Sequence, residues 1–89
     1  MNYKDYIDDI KDICERNNLL QEAERLYTKE INVDKNNARN YVCRAYFYMR
    51  NGKKEKAIRD CKTAQKLCPN DKIILPIIEL MLKRLEQIK

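Results

Sequence analysis

Histidine and tryptophan are absent from this 89-residue chain, and there is one glycine and only two prolines. Without histidine, the side chain most often used for proton transfer at neutral pH is missing. With one glycine there is no glycine-rich loop to cradle a phosphate, and no nucleophile sits beside a base in a recognisable motif. The expectation is a non-catalytic protein. Four cysteines (Cys14, Cys43, Cys61, Cys68) occur without a CxxC pair, so a zinc site would need thiolates from separate segments. They read as small buried hydrophobes in a reducing, cytoplasmic setting, with no metal and no cofactor. No apolar run reaches the length of a membrane span, and the first residues do not resemble a secretory signal. The scarcity of glycine and proline speaks against a β-sandwich or a disordered tail and for helices.

Charge is plentiful and unevenly placed. The net charge is +5, yet residues 1–34 carry five cationic against nine acidic side chains and residues 35–89 carry fourteen against five. Such a chain is polarised, acidic at one end and basic at the other. Tyr3, Tyr6, Ile7, Ile10, Ile13 and Cys14 recur at three- and four-residue spacing, the mark of one helix face, with Asp5, Asp8, Asp9 and Asp12 opposite. After Asn17-Asn18 a second apolar stripe follows: Leu19, Leu20, Ala23, Leu26, Tyr27, Ile31 and Val33.

The stretch Asn36–Asn70 organises the rest. Tyr41–Met49 and Ala57–Leu67 are helical patterns flanking Asn51-Gly52, where glycine accepts the left-handed conformation that stops a helix. Asn36-Asn37 offers an N-cap to the first run, and Pro69 blocks continuation of the second. The helix built on the second run carries Lys53, Lys54, Lys56, Arg59, Lys62 and Lys66 at and after its start, around its apolar residues. Aromatic rings do not interleave with these lysines, so the face lacks base-stacking platforms, and nucleic acid or an anionic surface is the weakest of the readings. Beyond Pro76, Ile77, Ile78, Leu80, Met81, Leu82, Leu85 and Ile88 cover roughly 200° of a helix, about twice what a capping helix needs.

The spacing of Tyr41, Ala45, Tyr48, Gly52, Ala57, Cys61, Ala64 and Pro69 resembles the tetratricopeptide repeat, a helix–turn–helix unit of 34 residues. Arg44 in a leucine slot and Cys61 in an aromatic slot depart from the pattern. Stepping the same register back by 34 residues places Ala23 at the Ala57 slot and Asn18 at the Gly52 slot. The resemblance implies an all-α fold: two antiparallel helix-turn-helix hairpins (about 4–37 and 38–71) and a fifth helix (about 72–88). These would stack as a short right-handed superhelix in one domain spanning 1–89. It further implies a concave groove that holds a peptide of a partner protein, with Asp5, Asp8, Asp12, Arg39, Cys43, Tyr46, Met49 and Arg50 as its residues. A basic or amphipathic peptide fits the acidic end. Co-chaperones of this family clamp chaperone carboxylates, but the matching positions here are Asp8, Asp12, Cys43, Ile73 and Ile77, so no such clamp is expected. The alternative function is self-association, as a homodimer, through Ile77, Leu80, Met81 and Leu85.

Overall fold

The computed structural model describes the backbone of residues 3–88 and the side chains of residues 18–88. Four α-helices account for the secondary structure of these described residues, without a strand: α1 (Tyr3–Val33), α2 (Ala38–Arg50), α3 (Lys54–Leu67) and α4 (Ile74–Glu86). Packing runs α1 on α2, α2 on α3, and α4 against both α3 and α2.

Local chemistry explains four of the helix boundaries. Asn37 sits in the extended region and its side-chain oxygen accepts the Arg39 N–H at 3.0 Å, an N-cap that opens α2. At the other end Gly52 takes φ 75°, and the Lys53 N–H reaches back to the Tyr48 carbonyl at 2.9 Å. That is a Schellman-type stop, which is why a glycine stands there. Cys68 and Pro69 end α3 as expected, since proline cannot carry a helix on. The last helix begins at Ile74 rather than near residue 72, because the Asp71 carboxylate accepts the N–H groups of Ile73 and Ile74, both at 2.8 Å. Pro76 then falls within the first turn, where its missing N–H deprives the helix of nothing.

The core lies between α2, α3 and α4. Ala45, Ala57, Cys61, Ala64, Ile78 and Leu85 are fully buried, with Tyr48, Met81 and Ile74 nearly so. The three alanines let the α2 and α3 backbones approach closely, and Ile78 and Leu85 fill the space under α4. Each of those two large side chains contributes about 1.5–3 kcal/mol by leaving water.

Two sequence expectations need correction here. The described residues form four helices, not five: α1 runs for 31 residues straight through Asn17-Asn18, so the first hairpin does not form. Asparagine costs a helix interior only about 0.6 kcal/mol relative to alanine, and α1 contains neither glycine nor proline to enforce a stop. The stripe assigned to the core of a second helix consequently divides. Ile31 is buried, and Leu20, Tyr27 and Thr28 face α2, whereas Leu19, Leu26 and Val33 stand 70%, 53% and 77% exposed. The segment meant to cover them continues in line with them instead of folding back.

Candidate functional site: the groove between α2 and α4

Anchoring α2 is the prerequisite for any site on it, and polar chemistry does this where apolar burial is thin. Arg44 donates two hydrogen bonds to Asp60, from Nε at 2.7 Å and from Nη2 at 2.8 Å, and a third to Thr28 Oγ1 at 3.1 Å. Asp60 is 3% exposed, so the planar guanidinium supplies the partner that a buried carboxylate requires. One residue thereby ties α1, α2 and α3 together. Next to it the Tyr48 hydroxyl donates to Glu24 at 2.8 Å, and Lys56 reaches the same carboxylate. The hydrogen bond from Tyr48 holds the Glu24 carboxyl below its usual range. Burial, reinforced by that bond, pushes the Tyr48 hydroxyl up to about 12. Tyr27 and Phe47 close the α1–α2 contact with ring centroids 5.3 Å apart.

With its inner faces occupied, α2 leaves one face free. Arg39, Cys43, Tyr46 and Arg50 follow one another at steps of four, three and four residues and are all exposed. The Arg50 guanidinium lies 5.7 Å from the Tyr46 ring centre and donates to its hydroxyl at 3.2 Å, so the two side chains form one unit. Across from this wall, α4 presents Ile77 and Leu80, 48% and 54% exposed, preceded by the exposed Ile73. Between them lies a cavity of about 260 Å³ lined by Arg39, Val42, Cys43, Ile73, Ile74 and Ile77. That is below the size of a small-molecule pocket and suits one inserted side chain. A wider depression of about 620 Å³ passes Gln21, Arg25, Lys29 and Val33, but every residue lining it belongs to α1, so it has no second wall.

The expected site residues divide accordingly. Arg39, Cys43, Tyr46 and Arg50 share one exposed face, whereas Met49 is turned inward and packs against the core. The side chains of Asp5, Asp8 and Asp12 lie outside the described residues. Of the self-association set, Ile77 and Leu80 are exposed, but Met81 (5%) and Leu85 (0%) are core residues and so are spent within the chain. A 200° apolar arc is thus explained by two neighbours, α3 and α2, with only the remainder left over. Ile74 lines the cavity although it was not among the expected groove residues; the Asp71 cap that sets it in the first turn of α4 was the missed signal. The described residues hold no cluster of side chains suited to a metal.

Residues 38–71, which are α2, the turn, α3 and the residues after it, match the family model described as Tetratricopeptide repeat. No curated protein and no solved structure matches the chain.

Proposed function

We propose, from the tetratricopeptide-repeat match over residues 38–71 and the groove beside it, that the chain is a non-catalytic protein-interaction module whose α2–α4 groove holds a peptide segment of a partner. One observation carries this reading: an apolar cavity the size of a single side chain opens between a row of exposed polar and aromatic groups on α2 and exposed aliphatic groups on α4. Cys43 and Tyr46 provide the middle of one wall, and Ile77 and Leu80 the other. The earlier expectation of a basic partner leaned on Asp5, Asp8 and Asp12, and the groove described here does not depend on them. It also lacks the lysine and asparagine set of a carboxylate clamp.

The exposed Cys43 thiol makes the site testable. Peptides selected from a random dodecapeptide display library on the immobilised full chain should slow iodoacetamide alkylation of Cys43 severalfold. Ile77→Asp, which charges the cavity lip at an already half-exposed position, should remove their binding. Peptides that leave Cys43 as reactive as before and still bind the Ile77→Asp chain would move the site elsewhere.

The two alternatives lose ground to specific contacts. Of the four residues expected to self-associate, only Ile77 and Leu80 are exposed, whereas a stable dimer buries on the order of 1,200 Å² or more. On the basic helix α3, Lys56 is paired with Glu24 and Lys54 donates to the Ile88 carbonyl at 2.6 Å, so two of the six cations are already engaged.

A further inference from the structure

Resting on the groove reading, we infer that the segment it takes is acidic, with carboxylates five residues apart and an aliphatic side chain next to one of them. The wall of α2 contains no acidic residue at all, and it is bracketed by Arg39 and Arg50. Ion pairs among the described residues join Arg25 to Glu22, Arg44 to Asp60 and Lys56 to Glu24; Arg39 and Arg50 are in none of them.

Two acids on the neighbouring segment leave this wall largely cationic. Asp71 feels the Arg39 charge but forms no ion pair with it, and its Oδ1 is engaged by the N–H groups of Ile73 and Ile74. Glu79 sits two residues beyond Ile77, which is roughly 200° round the helix and away from the groove. A peptide lying on this face therefore meets two guanidiniums that form no ion pair among the described residues, with apolar surface between them. Guanidinium groups recognise carboxylates through paired hydrogen bonds, and Arg50 is already oriented by Tyr46.

The spacing follows from helix geometry. Arg50 lies eleven helical steps after Arg39, about 16 Å along the axis at 1.5 Å per step. An extended peptide covers that distance in about five residues at roughly 3.3 Å each. The cavity lies at the Arg39 end, so the aliphatic anchor neighbours the carboxylate that meets Arg39. The aromatic face of Tyr46 receives the residues between.

The test is the composition of the selected dodecapeptides, followed by calorimetric titration of synthetic copies into the full chain. The expected winners carry paired Asp or Glu at a five-residue interval beside Leu, Ile or Val. Their affinity should fall at least tenfold in the Arg39→Glu/Arg50→Glu chain and severalfold when salt is raised from low to physiological strength. Both substitutions are on exposed positions, and an unchanged thermal unfolding transition verifies the fold. Groove binders that protect Cys43 but are neutral or basic, or that ignore the charge reversal, overturn the acidic assignment while leaving the groove in place. Failure to enrich any peptide sensitive to Ile77→Asp overturns the groove itself, and this inference with it.

Discussion

At the scale of single residues, Arg44 is the side chain on which the arrangement of helices turns. In the sequence it read as a misfit in a leucine slot; in the structure its bidentate bond to the buried Asp60 resolves the misfit. The 34-residue step back from this pair lands on Ile10 and Leu26, an apolar couple where the later segment has an ionic one. Arg44→Ala strands a carboxylate that is 3% exposed and should cost about 3–5 kcal/mol in urea unfolding. The double replacement Arg44→Ile/Asp60→Leu should recover most of that loss, because two apolar partners leave no charge unpaired. Tyr48 supplies a second residue-level prediction. Its hydroxyl is raised from 10 to about 12, so the folded state resists its ionisation. The stability this contributes is intact below pH 10 and is lost as pH rises through 12. Absorbance titration of the phenols should show one late-ionising tyrosine, and Tyr48→Phe should remove that step together with its share of the alkaline destabilisation. Burial likewise raises the Cys61 thiol to about 11, so iodoacetamide should modify Cys43 in the folded chain and spare Cys61 until unfolding.

At the scale of elements, what the sequence made legible is what local chemistry dictates. The α2–α3 hairpin, its Asn37 cap, the Gly52 stop and the Pro69 end were all readable, because each depends on one residue with a strong conformational preference. Gly52→Ala places a side chain at φ 75° with open space around it, so backbone strain alone should cost roughly 1–2 kcal/mol. The continuity of α1 was not readable. The same apolar periodicity is produced by two helices in register or by one uninterrupted helix, and Asn17-Asn18 tolerates both. Exposure of Leu19, Leu26 and Val33 depends on what lies opposite them, which no local pattern records. Replacing Asn18 by Ala separates the two arrangements. In a continuous helix it should raise stability by roughly 0.5 kcal/mol, measured by thermal unfolding; in a turn it would lower it.

At the scale of the whole molecule, half of the candidate site was legible. The face Arg39, Cys43, Tyr46, Arg50 was readable from spacing on one helix, since a helix shows its faces in its sequence. Which α4 residues remain outside was not, because Met81 and Leu85 look as available as Ile77 and Leu80 until α3 and α2 are set beneath them. Light scattering over a dilution series should therefore report a monomer, unchanged by Leu80→Glu; a mass that rises with concentration and drops in that variant would return α4 to the role of an interface.

Asp71 has a wider reach than its place in a turn suggests. Its carboxyl is held below the ordinary 3.8 by the N–H groups of Ile74 and Ile73, so its hold on α4 persists above that value and slackens as acid protonates it. The first residues it releases are Ile73 and Ile74, which are also lip and lining of the cavity. Under the proposed acidic-segment reading, acid would loosen one end of the groove through Asp71 while separately discharging the segment's own carboxylates, so two independent protonations would push the same way.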